Sequence, residues 1–189
     1  MTCIVGIEGA GGVWLGADRF IGNGDWIAET LATPKIWSLD IGVAAGCCGD
    51  MRSVNVMRHR WKLPAFTPGA NLDAWMFDAV EALRGAFAAA GAGWKDNDQS
   101  KVPGGNGAFL VAAHGALYVV GSSFSFWRSG SGYGAVGSGE GVALGSFATS
   151  EALAVGSEES VRLALGAAAR HSPTVRAPFD VMLVSGSPS

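Results

Sequence analysis

Charge is scarce in this chain, and basic charge scarcer still. Only 15% of its 189 residues are charged, and 13 Lys and Arg against 16 Asp and Glu leave a formal net charge of −3. A nucleic-acid-binding domain needs a basic face, so nucleic acid is excluded as the expected partner. Cysteine is rare too. Three residues, two of them adjacent (Cys47 and Cys48), make no disulfide framework, and no histidine lies at ligand spacing from them. No apolar run is long enough to span a bilayer. The N-terminus has no basic residue ahead of Glu8, so it does not read as a secretory signal. No repeat occurs at a solenoid period. The expected setting is a reduced cytoplasm, away from membranes.

What the chain has is apolar residues, 49% of the total, together with 29 Gly and 7 Trp. A length of 189 residues predicts one domain over 1–189 with a sizeable core. So apolar a composition at this size predicts further burial between subunits. Apolar runs at 3–7, 13–17, 35–39, 43–48, 108–112, 116–120, 133–136 and 179–184 read as strands. Helices are predicted from Asp50 through Trp61, from Asn71 to about Gly91, over 142–155, and from a Ser157 cap followed by Glu158 and Glu159. Their apolar stripes are Val54, Met57 and Trp61, then Leu72, Trp75, Met76, Val80, Leu83 and Phe87, and finally Val161, Ala164, Leu165 and Ala168. Arg58-His59-Arg60 reads as a solvated helix face rather than a basic patch. Gly22–Asp25 and Gly91–Gly107 read as loops, and the Gly/Ser/Pro tail as loose. Strands and helices come in runs rather than in alternation, which predicts α+β with mainly antiparallel sheets and helices outside.

The first nineteen residues, MTCIVGIEGAGGVWLGADR, are the focus. They form a hairpin whose two ends, Thr2 and Asp18, meet side by side. Once Met1 is removed, Thr2 offers a hydroxyl nucleophile and, on the same residue, an α-amine to serve as its base. Taken singly, Thr after an initiator Met is common, and Asp at a strand end is a usual turn former.

Five segments together resemble the proteasome β subunits and their bacterial relative HslV. TCIVGI resembles the family's opening strand, and GVWLGADR resembles the second strand ending in Asp, at the same spacing from the Thr. PKIWSL resembles the lysine-bearing third strand, VAAGCCGD the turn before the first helix, and YGAVGSGEGVALG the stretch that opens the third helix. The resemblance implies an N-terminal nucleophile (Ntn) hydrolase with a four-layer αββα sandwich. It also implies threonine-peptidase activity on peptide or protein substrates, a homo-oligomeric ring, and a AAA+ unfoldase as partner. Ala169 stands where proteasomes place an Asp, with Ser172 at the following Ser, and nothing precedes Thr2 but Met1. Both traits are closer to HslV. Phe20 stands at the proteasome's Arg position.

The implied roles fall on five residues. Thr2 is the nucleophile. Lys35 is a cation that lowers the pKa of the Thr2 amine, and Asp18 holds that cation in place. Gly46, or the turn next to it, supplies an oxyanion N–H. Ser138 relays the amine's proton, or else caps the helix that follows. No cofactor is required. A structural Na+ would be bound through the backbone carbonyls of Ala169, Ser172 and Val175. The Gly137–Gly141 run lacks the Lys and the spacing of a phosphate loop. Cys47 and Cys48 read as small buried residues, as does Cys3. Two other readings fit the residues: a stand-alone Ntn amidohydrolase acting on a small amide, and an inactive ring scaffold.

Overall fold

The computed structural model describes residues 2–22, 28–91 and 107–186. Strands β1 (Cys3–Gly9) and β2 (Gly12–Asp18) pair antiparallel from Ile4↔Ala17 to Gly9↔Gly12. Gly11 and Gly12 take φ of 86° and 144° at the turn, which L side chains adopt only with strain. Short strands β3 (Phe20–Gly22) and β4 (Ala28–Thr30) form a separate pair that the sequence pattern does not predict. After them come β5 (Ile36–Asp40), β6 (Val43–Cys48), α1 (Met51–Arg60) and α2 (Leu72–Ala89). The second half contains β7 (Ala108–Ala113), β8 (Ala116–Val120), β9 (Phe126–Arg128), β10 (Tyr133–Gly137), α3 (Glu140–Ala152), α4 (Ser157–His171) and β11 (Phe179–Ser185).

Two antiparallel sheets result, one of order β10-β1-β2-β11 and the other β5-β6-β7-β8-β9. Three apolar clusters fill the spaces between layers. One lies between the five-stranded sheet and α1/α2, built on Tyr118, Phe109, Met57, Met76 and Leu83. A second, with Ile4, Leu15, Leu110 and Leu117, lies between the two sheets. The third packs Cys3, Val5 and Ala135 against Phe147, Val161 and Leu165 of α3 and α4. The architecture is therefore the αββα sandwich. Its layering explains why β1 and β6 read as unbroken apolar runs. Along β1, Cys3 and Val5 face helices while Ile4 faces the other sheet, so both faces are buried.

Helix starts are set locally. The Asp50 carboxylate accepts from Ser53 N–H, and Asn71 accepts from Ala74 N–H. Ser157, however, is not a cap. Gly156 holds that position without a side-chain bond, and Ser157 is already helical. Nor does Ser138 cap α3, since Gly139 does so. Helix α3 runs Glu140–Ala152 rather than 142–155, because Ala154 takes a left-handed φ of 53°. Most of the predicted 91–107 loop, part of the Gly22–Asp25 loop and the last residues of the tail lie outside the described residues. Among the described residues, no helix is long and apolar enough to cross a membrane.

Candidate active site

The hairpin sets Thr2 one residue ahead of β1 and Asp18 at the end of β2, so antiparallel pairing brings them together. Both are buried, and Asp18 is 0% exposed. The Asp18 carboxylate accepts the N–H of Cys3 at 2.8 Å and of Phe20 at 3.1 Å. These bonds fix it before any cation arrives. Lys35 comes from the other sheet. It does not open β5 but precedes it, at a bend just after Pro34. Its Nζ lies 3.0 and 3.1 Å from the two Asp18 oxygens and donates to Thr2 Oγ1 at 3.1 Å and to the Phe20 carbonyl. Burial pushes the Lys35 ammonium below its ordinary pKa, while the Asp18 charge and hydrogen bond work against that shift. The result is a buried cation with one hydrogen bond on the threonine hydroxyl.

On the opposite side of Thr2 a line of hydroxyls approaches. Thr2 N–H donates to Ser138 Oγ at 3.3 Å, and Ser138 Oγ donates to the Thr2 carbonyl at 3.2 Å. Ser138 Oγ also lies 2.7 Å from Thr174 Oγ1, which lies 3.0 Å from Ser172 Oγ. A hydroxyl has one proton to give. With that of Ser138 on Thr2, the chain must run from Ser172 to Thr174 to Ser138. Thr174 was not foreseen, because nothing in its local sequence signals a residue 36 positions from its partner.

Gly46 is placed differently from the expectation that it faces the site. It lies inside β6, paired with Ile36 and Leu110, and a Cβ there would meet Ile4 Cγ2 at 2.7 Å and Ile36 Cγ2 at 2.8 Å. It is a glycine because two sheets close over it. The neighbouring turn borders the site instead. A cavity of about 300 Å³ beside Thr2 is lined in part by Lys35, Cys47, Gly49 and Asp50, and its wall also includes Ile21, Leu31, Met51, Val54 and Arg58. Continuing the β5–β6 register by one residue sets Cys47 across from Lys35. Arg58 thus leaves the solvated face predicted for it, whereas His59 and Arg60 stay exposed.

The three cysteines are buried, which disfavours the thiolate. Burial raises the Cys3 thiol to about 12, and raises Cys47 and Cys48 as well. Ala169 and Ser172 lie in the last turn and cap of α4, and Ser172 O accepts Val175 N–H at 3.3 Å. The residue four beyond Ala169 is Pro173, which has no N–H, so the Ala169 carbonyl has no helical donor. A hard monovalent cation fits such a carbonyl set. Among the described residues, no side-chain cluster of His, Cys, Asp or Glu could hold a metal ion.

A sandwich of two antiparallel sheets between helix layers, with a threonine at the head of the first strand and a lysine–aspartate pair against its hydroxyl, defines the Ntn-hydrolase class of fold. Within that class, the chain has the proteasome/HslV-like fold. It superposes on BPH of Thiobacillus denitrificans with a TM-score of 0.81 at 19% identity, over 99% of this chain and 100% of that one. BPH has also been solved in complex with epoxomicin. Eukaryotic HslV from Trypanosoma brucei matches with a TM-score of 0.67 at 16% identity, over 97% and 99% of the two chains. The Anbu complex of Pseudomonas aeruginosa, solved as a helical assembly, matches with a TM-score of 0.66 at 14% identity, over 97% of this chain and 81% of that one. No protein-family model matches the sequence, nor does any curated protein sequence.

Proposed function

We propose that this chain is a threonine peptidase of the proteasome/HslV type, with Thr2 as its nucleophile after removal of Met1. The observation that supports this most directly is the buried Lys35 ammonium, 3.1 Å from Thr2 Oγ1 and held by Asp18. Thr2 Oγ attacks the scissile carbonyl carbon, and its proton passes to the free α-amine. The reference pKa of that amine, about 7.7–8.0, is lowered by the neighbouring cation. The tetrahedral oxyanion is received by backbone N–H from the Cys47–Gly49 turn, a contribution of the order of 10²–10³ in rate. The C–N bond then breaks, the α-ammonium returns its proton to the leaving amine, and an ester to Thr2 remains. Water activated by the same amine hydrolyses that ester.

Ser138, backed by Thr174 and Ser172, orients the amine and carries its proton. Carbonyls of Ala169, Ser172 and Val175 would hold a sodium ion, whose charge would tie down the turn bearing Thr174. The HslV and Anbu neighbours support a homo-oligomeric assembly, and a ring with an unfoldase partner extends that reading. The exposed apolar side chain of Phe77, on α2, is available for subunit contacts.

The test is intact mass followed by covalent labelling. Loss of Met1, addition of one epoxomicin per chain, and loss of both labelling and fluorogenic-peptide hydrolysis in Thr2→Ala are expected. Quantitative retention of Met1 would leave the α-nitrogen an amide and overturn the mechanism. Hydrolysis confined to small amides would favour the stand-alone amidohydrolase.

A further inference from the structure

Three charged side chains, Lys35, Asp50 and Arg58, lie on the cavity wall beside Thr2, and Lys35 alone of them has an ion-pair partner among the described residues. Lys35 faces Asp18. The two Asp50 oxygens accept the backbone N–H and the hydroxyl of Ser53, at 2.9 and 2.7 Å, and so are committed to the start of α1. Arg58, in the last turn of α1, makes no ion pair among the described residues. Its Nη2 donates to the Pro34 carbonyl, next to Lys35, and its Cζ lies 4.6 Å from the centre of the Trp37 ring. Arg58 Nε is buried without a hydrogen-bond partner, and so is Trp37 Nε1 beneath it. A half-buried guanidinium, pinned in place and short of acceptors, is costly unless something supplies negative charge. The same cavity is lined by Ile21, Leu31 and Val54, which suit methylene groups.

Resting on the proposal that Thr2 attacks a peptide carbonyl, we infer that Arg58 makes this cavity select an acidic side chain on the residue whose carbonyl is attacked. The substrate's methylenes lie along the apolar wall, and its carboxylate completes the ion pair that the free chain lacks. Planar guanidinium and carboxylate groups match in two parallel hydrogen bonds, so the neutral amide isostere is discriminated as well as the wrong charge.

The experiment uses the assembled, Met1-free protein and four blocked peptides that differ only in the residue before a common aminocoumarin leaving group: Glu, Gln, Leu or Arg. Glu should exceed Gln in kcat/KM by about tenfold or more, the size expected of one charge-assisted hydrogen bond. Arg58→Gln should bring the Glu/Gln ratio close to one, and Arg58→Glu should favour the Arg peptide. Equal turnover of Glu and Gln, or a preference for Leu or Arg, by wild-type protein whose Thr2 is labelled by epoxomicin overturns the inference and leaves the peptidase reading intact. Absence of both labelling and turnover overturns the peptidase reading, and this inference with it. If the Arg58 variants fail to fold, the wild-type ratio alone decides.

Discussion

Thr174 touches the site through a single hydroxyl, and Thr174→Val removes that hydroxyl while keeping shape and volume. Ser138 then loses the donor behind it, and kcat for peptide hydrolysis should fall about three- to tenfold, the worth of one hydrogen bond. KM should stay unchanged, and Thr174→Ser should restore the rate. Steady-state kinetics on the three proteins check this. The Lys35–Asp18 pair makes a second, asymmetric prediction. Asp18→Asn strands a buried ammonium and should cost about 3–5 kcal/mol in urea unfolding. Lys35→Met should cost less, because the Asp18 carboxylate keeps the N–H groups of Cys3 and Phe20. A larger loss for Lys35→Met would show that the carboxylate depends on the lysine rather than on its backbone donors.

Strand ends decide where these groups stand, and Gly137 controls one of them. It pairs with Cys3 at the edge of β1, has φ of 102°, and a Cβ on it would sit 2.2 Å from the Thr2 carbonyl oxygen. Gly137→Ala must therefore displace Thr2 itself. Hydrolysis and epoxomicin labelling should both be lost, with a drop in Tm, whereas Gly141→Ala, in helix α3 with open space around it, should hold or raise the Tm. The strands and helices were legible because each has a sharp local signal: unbroken apolar runs in doubly covered strands, and Asp50 and Asn71 capping their helices. The strands that escaped, β3, β4 and β9, have three residues each, too few for a periodicity to register. In the site, Thr2 and Asp18 could be set side by side because a hairpin joins its two ends whatever the remainder of the chain does, whereas Lys35, outside β5, was named only through the family resemblance. The oxyanion donor was given as Gly46 or the turn next to it, and the choice between them could not be read locally, since whether a strand-end glycine packs into a core or borders a cavity depends on the sheet stacked above it. Arg58 and Thr174 act through distant partners, and no local pattern encodes those.

Across the whole molecule, the buried thiols couple stability to alkaline pH. Cys3 is raised to about 12, and Cys47 and Cys48 lie above the ordinary thiol value of 9.0, so the folded state keeps protons that the unfolded chain releases. Stability is thus fully present below about pH 9 and falls as pH rises towards 12, by up to about 1.4 kcal/mol per pH unit for each thiol. Lys35, lowered from 10.5, acts in the opposite direction, because the unfolded chain binds a proton that the folded one gives up. Tyr118, raised above its ordinary value by burial and by its hydrogen bond to Asp73, acts with the thiols, so Tm should decline between pH 9 and 11, and replacing all three cysteines by Ala should make that slope shallower. The division of the site between sheets has a consequence of another kind. Thr2 and Asp18 ride on one sheet, and Lys35 arrives only when the second sheet closes over the first. On the proposed mechanism, any opening of the two layers takes the ammonium away from the threonine hydroxyl, so the nucleophile would lose its cation as soon as the sheets part.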